Sequence, residues 1–287
     1  MIDLLVLVLV TMVWGWTFVM VKDAIAIYPL SAFLGLRFLL ASAVLALLLL
    51  RLPKRRALAQ GAVVGAAVAC GYLGQTQGLE TIGAGTVGLL TGLFVVFTPI
   101  FERIGMGRRL SRLTMIAILV AVVGTALLTS TGSSGFQFGD LLVILSAMAF
   151  AAQIVLLSAW SRTGNAMELA LVQMLVCAVV FIGLAGATDA KDWPPPQSVL
   201  PAVAVTGVLA SALAFWAQTW VQQRMAASRA ALIMALEPAF ALFFSLTLTG
   251  QRLGLLQALG ATLLLIAVVG HEALARLAPA TGPSVGA

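Results

Sequence analysis

The sequence predicts an all-α integral membrane protein whose ten transmembrane helices form two inverted five-helix repeats. Three observations carry this expectation: the composition, the length of the apolar runs, and a likeness between the two halves of the chain. Of 287 residues, 62% are hydrophobic and 9% charged, and mean hydropathy is +1.11. Soluble domains carry about 25% charged residues, so a water-facing surface could not be covered here.

Breaks at Gly, Pro and charge divide the chain into ten segments, near 4–21, 30–50, 59–79, 85–104, 112–129, 140–160, 168–187, 198–220, 227–249 and 254–274. Each approaches the roughly 20 residues that a helix needs to cross the hydrocarbon core. Such runs must be helical, because lipid offers no partner for backbone N–H and C=O groups and barrel strands would alternate in polarity. The first run follows Asp3 with no basic segment before it and reaches Lys22 with no small-residue cleavage site, so it reads as a span and not as a signal peptide. The longest connection, around Ala187 to Ser198, holds Pro194, Pro195 and Pro196, which favour an extended chain. Ala278 to Ala287 has the composition of a disordered tail. Gly61-xxx-Gly65 and Gly88-xxx-Gly92 are expected to serve close helix packing. Cys70 and Cys177 lack CxxC spacing and His neighbours, so they read as core residues and no metal site is expected.

A net charge of +6 would point a soluble protein toward nucleic acid. Here the cations cluster beside apolar runs, where they set topology, and no nucleic-acid partner is expected. With the N-terminus inside, the cytoplasmic cations are Arg51, Lys54, Arg55, Arg56, Arg103, Arg108, Arg109, Arg112, Arg162, Arg224, Arg229 and Arg276. Lys22, Lys191 and Arg252 fall outside, and Arg37 lies within the second span. Both termini are therefore expected in the cytoplasm of an inner-membrane protein. The clusters at Arg51 to Arg56 and Arg103 to Arg112 suit the anionic inner leaflet.

At an offset of 143, Tyr72-Leu73-Gly74-Gln75-Thr76 faces Phe215-Trp216-Ala217-Gln218-Thr219, and Gly107-Arg108-Arg109-Leu110 faces Gly250-Gln251-Arg252-Leu253. An offset of 137 matches Asp3-Leu4-Leu5-Val6 with Asp140-Leu141-Leu142-Val143, and at 136 Arg37 falls opposite Gln173. The expected division is 1–133 and 134–277, with 278–287 as the tail. Because five is odd, the second copy enters from the opposite side of the membrane, an arrangement typical of secondary transporters.

Trp14-Gly15 followed by Phe18, Arg37, Gly78-Leu79, Leu90-Thr91-Gly92-Leu93 running to Pro99, and Leu236-Glu237-Pro238-Ala239-Phe240 resemble the drug/metabolite transporter superfamily, in particular its ten-span EamA-type permeases. The likeness spans about residues 3 to 272, and in length and span count the chain is similar to the YddG-like amino-acid exporters. The resemblance implies export of amino acids, apolar, aromatic or small and neutral, or of similar small metabolites. Where the family often ends the ninth span with Gly-Glu, this chain has Gly250-Gln251, and Gly107-Arg108 in the first half, so no acidic role passes to those positions. Pro99 and Pro238 lie one helical turn apart at the 143 offset, so the two bends are expected to differ in position.

Ionisable groups inside a membrane are functional candidates by default. Glu237 stands near the centre of the ninth span, before Pro238, which bends the helix, and its carboxyl suits a substrate ammonium or a proton. Arg37 is expected to snorkel to the headgroups or to hold a fixed interhelical salt bridge, with a substrate carboxylate or a counter-charge such as Glu80 as the alternative partner. Trp14, Trp16, Tyr72, Gln75, Gln153, Trp216 and Gln218 fall inside their spans and would wall a site for a neutral or zwitterionic substrate with an apolar side chain. Arg37, Pro99 and Pro238 are assigned to structure and gating.

The chain has no GxxxxGK[ST], HExxH or GxSxG motif, and its single histidine is His271. Secondary or facilitated transport is therefore expected, without cofactor, ahead of an intramembrane enzyme or a channel. A lipophilic-cation or drug exporter is the alternative, served by Glu237 and aromatics without Arg37. The expected partners are a small-molecule substrate, the lipid bilayer and coupling protons, in a monomer or homodimer. A topology reporter fused after Ala287 should be active in its cytoplasmic form; activity only in the periplasmic form would invert the orientation.

Overall fold

The structure, a computed structural model, describes residues 1–82, 84–107, 110–129, 137–188, 194–249 and 254–277. The helices, in chain order, are α1 (Ile2–Ile25), α2 (Leu30–Leu49), α3 (Arg55–Thr81), α4 (Ala84–Gly92), α5 (Phe94–Met106), α6 (Arg112–Thr129), α7 (Phe138–Trp160) and α8 (Ala166–Ala187). After them come α9 (Leu200–Val205), a π-helical stretch Thr206–Leu213, α10 (Ala214–Gln222), α11 (Ala227–Met234), α12 (Glu237–Thr249) and α13 (Leu255–Leu277). Among the described residues, eight helical segments are long and apolar enough to cross a membrane, and Arg112–Leu127 is a shorter apolar helix. The described residues are all helix or connection, and the protein is a multi-pass integral membrane protein. The proposed disordered tail, and Arg108, Arg109, Lys191, Gly250, Gln251 and Arg252, lie outside the described residues.

Local sequence sets where the helices begin and end. Asp140 in the first turn of α7 accepts the Gln137 N–H at 2.6 Å, and the Asn165 side chain accepts from Met167 N at 2.9 Å to cap α8. Gly107 closes α5 with φ of +65°, where a residue with a Cβ would be strained.

Three segments expected as single spans are interrupted. The fourth breaks at Leu93 between α4 and α5, and the ninth at Ala235–Leu236 between α11 and α12. At the 143 offset Leu93 faces Leu236, so the helix breaks coincide although the prolines do not. Pro238 is the second residue of α12, in a first turn where its missing N–H has no helical partner to lose. Pro99 is buried inside α5 and leaves the Val95 carbonyl without its helical donor. The eighth span changes pitch through Thr206–Leu213.

α3 packs on α7 and α8, while α10 and the π-helical stretch pack on α1 and α2. α1 packs on α12, α7 on α5, α2 on α8, and α6 on α13. Two buried apolar clusters result, and Trp14 is packed against both. Gly61 and Gly65 serve the close approach of α3 to α8, where an added Cβ would lie 2.6 Å from Val172 Cβ and 2.9 Å from Val176 Cβ. Gly88 departs from the packing expectation, because nothing lies within 4 Å of its Cβ position. Cys177 is buried, whereas Cys70 is exposed on the outside of α3 and is not a core residue.

At Gly15 a Cβ would sit 2.7 Å from Ala241 N, so α1 and α12 touch nearly backbone to backbone. Gly15→Ala should therefore cost about 1–3 kcal/mol of stability through overpacking. Gly88→Ala should be neutral or slightly stabilising, since the helix propensity gain has no clash against it. Thermal melts of the two purified variants in detergent check this contrast, and equal losses would contradict it.

Candidate functional site

Where the interrupted helices meet, a cavity of about 90 Å³ is lined from both halves of the chain. α1 contributes Trp14, Thr17 and Val21, α2 contributes Leu34 and Arg37, and α3 contributes Tyr72, Gln75, Thr76 and Leu79. Thr91 and Phe94 flank the α4–α5 break, and Met234 and Glu237 flank the α11–α12 break. α7 adds Phe150, Gln153 and Ile154, and α10 adds Phe215 and Gln218.

The lining is paired by the same offsets that relate the two halves. At 143, Tyr72 faces Phe215, Gln75 faces Gln218, Thr91 faces Met234 and Phe94 faces Glu237; at 136, Trp14 faces Phe150 and Thr17 faces Gln153.

Arg37 neither snorkels nor pairs with Glu80. Only 4% of it is exposed, and its Nε donates to Ser211 Oγ at 2.7 Å while Nη2 donates to Tyr72 OH at 3.1 Å. Its guanidinium carbon lies 5.3 Å from the Phe38 ring centroid and 5.1 Å from that of Tyr72. Glu80 is exposed at the end of α3 and lines a different depression. Ser211 reaches Arg37 from the π-helical stretch, an element frequent at functional sites. In that stretch the Ala214 N–H turns to the Leu209 and Ser211 carbonyls, and the Ala210 carbonyl accepts from Trp14 Nε1 at 2.8 Å.

The aromatic wall is continuous. Tyr72 meets Phe150 edge-on at 5.6 Å, Phe38 at 5.1 Å and Phe215 at 6.5 Å, and Trp14 meets Phe215 at 5.5 Å. The amides are tied to one another: Gln153 and Gln218 exchange two hydrogen bonds of 3.3 Å, and Gln153 also donates to Gln173 Oε1 at 3.4 Å. Gln75 donates to Thr91 Oγ1 at 3.2 Å. Glu237, the first residue of α12, stands where the helix dipole favours negative charge and accepts no hydrogen bond among the described residues.

The cavity thus brings together Trp14, Arg37, Tyr72, Gln75, Gln153, Gln218 and Glu237. Trp16 and Trp216 are turned away from it. Trp16 rests 6.4 Å from the Phe244 ring of α12, and Trp216 packs on the cluster around α2 and α8. The reason is helical geometry: each residue rotates about 100°, so Phe215 and Gln218 share a face that Trp216 leaves. Phe215 was visible as the repeat partner of Tyr72, and Phe150 as that of Trp14. Ser211 carried no sequence signal.

The two ends of the cavity differ. Toward Lys22 and Glu80, Leu79 also lines a separate depression of about 540 Å³. At the other end polar contacts hold the helices together. Arg224 pairs with Asp3 at 2.7 Å, Arg229 donates to both oxygens of Glu272, with 2.6 Å from Nε to Oε1, and Ser228 donates to Glu102 from N at 3.0 Å and from its hydroxyl. Glu168 pairs with Arg51 at 2.8 Å. Glu102, Glu168 and Glu272 are thus buried acidic side chains that the sequence did not single out.

A sequence profile of the EamA-like transporter family matches residues 1–130 and 137–271. The chain belongs to that family. It is 32% identical over 263 residues to an uncharacterized transporter of Archaeoglobus fulgidus, covering 92% of this chain and 83% of that protein. It is 24% identical over 264 residues to the uncharacterized inner membrane transporter YedA of Escherichia coli K12, covering 90% and 86%. It is also 21% identical over 277 residues to the uncharacterized transporter YoaV of Bacillus subtilis, covering 89% and 91%. A crystal structure with 17% identity superposes with a TM-score of 0.79 over 94% of this chain and 96% of its own, which speaks for the fold alone. As a family member the protein is a membrane transporter.

Gln153→Leu strands a buried Gln218 amide and should cost about 1–3 kcal/mol, whereas Gln153→Leu with Gln218→Leu should recover much of that loss. Additive destabilisation in a double-mutant cycle on purified protein would show that the two amides act independently.

Proposed function

We propose that the protein is a secondary or facilitative transporter that exports amino acids, apolar, aromatic or small and neutral, or similar small metabolites, across the inner membrane by alternating access. Ten spans in two inverted repeats, 1–133 and 134–277, rock about the cavity, with both termini cytoplasmic. The observation that carries this reading is the paired lining of the cavity at two helix breaks that coincide at one offset. Broken helices at membrane depth are tolerated where they line a cavity, and paired halves offer two equivalent openings onto one site. The helix packing supports it too, since the contacts of α3 with α7 and α8 have counterparts in those of α10 and the π-helical stretch with α1 and α2.

The substrate class follows from the family resemblance, the aromatic wall and the size of the cavity, which is small beside the roughly 300–1,000 Å³ of drug-sized ligand sites. Glu237 is the group through which protons couple to the cycle. The polar contacts of Asp3, Glu102, Glu272 and their partners close the cytoplasmic end, and Leu79 stands at the outward opening.

Uptake of a labelled panel of neutral amino acids into proteoliposomes should be saturable and absent from protein-free vesicles, and Glu237→Gln should lower it at least tenfold. If folded wild-type protein moved lipophilic cations and none of the panel, the drug-exporter reading would replace this one. Tyr72→Ala should raise the half-saturating concentration more than Trp16→Ala, because only Tyr72 lines the cavity.

A further inference from the structure

The geometry points to a receptor of fixed polarity for a zwitterion, in which Arg37 takes the substrate carboxylate and Glu237 takes its ammonium. This rests on the transporter reading above and gives Arg37 a binding role in place of a gating one.

Two opposite charges line one small cavity, yet they do not pair with each other. No carboxylate among the described residues lies within ion-pair distance of Arg37, whose hydrogen-bond partners are the neutral hydroxyls of Ser211 and Tyr72. A guanidinium has five N–H donors in a planar fork, and Arg37 commits Nε and Nη2 to these hydroxyls. Phe38 and Tyr72 lie within cation–π distance of it, so its position is held while donors remain for a ligand. Glu237 has no hydrogen-bond or ion-pair partner among the described residues.

The buried carboxylates at the closed end behave differently, because Glu102, Glu168 and Glu272 each have a partner. An uncompensated ion in a low-dielectric site is costly, and the cost ends when a complementary charge arrives. A zwitterion satisfies both groups at once. A monocation would satisfy Glu237 and bring its charge toward Arg37, and a monoanion would do the reverse. The rings of Tyr72, Phe150 and Phe215 line the same cavity and suit an apolar side chain.

The test compares L-leucine and L-phenylalanine with their amides, which lack the carboxylate, and with their N-acetyl derivatives, which lack the ammonium. Each competes with labelled amino acid for the full-length protein in proteoliposomes, and each is tested for thermal stabilisation of the protein in detergent. Wild type should favour the free amino acids over both derivatives by about a hundredfold, since each derivative leaves one charge of the cavity unpaired. Arg37→Gln should erase the preference over the amide while keeping that over the N-acetyl compound, and Glu237→Gln should do the opposite. Arg37→Lys, which keeps the charge and loses the fork, should weaken amino-acid binding while still rejecting the amide.

Equal binding of amino acid and amide by wild type, or equal losses for all three kinds of compound in both variants, would overturn the assigned polarity and leave the transporter reading standing. Folded wild-type protein that binds and moves none of the six compounds would overturn the amino-acid reading and the polarity together.

Discussion

Satisfying every backbone hydrogen bond without water is the constraint on which this structure depends. In hydrocarbon a helix can be interrupted only where protein or a cavity supplies partners for the freed groups. All three interruptions obey it. The break at Leu93 presents Thr91 and Phe94 to the cavity, the break at Ala235–Leu236 presents Met234 and Glu237, and the π-helical stretch supplies Ser211 to Arg37 and the Ala210 carbonyl to Trp14. The irregular backbone and the candidate site are therefore one feature of the fold.

The same economy governs the ionisable groups. At the closed end charged side chains satisfy one another and the exposed N–H groups of helix starts, as Glu102 does for Ser228 at the beginning of α11. Inside the cavity the charges meet neutral partners or none. Partnering, more than depth, separates side chains that hold helices together from those that line the cavity. Small residues at contact points and amides paired across α7 and α10 keep the cavity in shape between these two regimes.

Much of the cavity lining was legible because chemistry in an apolar sequence stands out. Arg37 and Glu237 are conspicuous in their spans, and the Tyr72-xx-Gln75 and Phe215-xx-Gln218 pattern marks two equivalent helix faces. What failed was rotation about the helix axis. An apolar helix has no polar face to orient it, so Trp14 could not be distinguished from Trp16, nor Phe215 from Trp216, by composition. The buried acids Glu102, Glu168 and Glu272 were hidden for another reason: they lie near span ends, where charge is common, and only folding brings Ser228, Arg51 and Arg229 against them.

The sequence by itself determined that this chain spans a membrane as a set of helices, where those helices fall, and which few polar side chains lie within them. These follow from transfer free energy and backbone hydrogen bonding, which depend on local composition. Only the tertiary structure decided where the helices break, which face of each meets the cavity, and that Arg37 and Glu237 share the cavity without pairing. Those outcomes depend on side chains far apart in the chain packing against one another, and on π-helical geometry with no residue signature of its own.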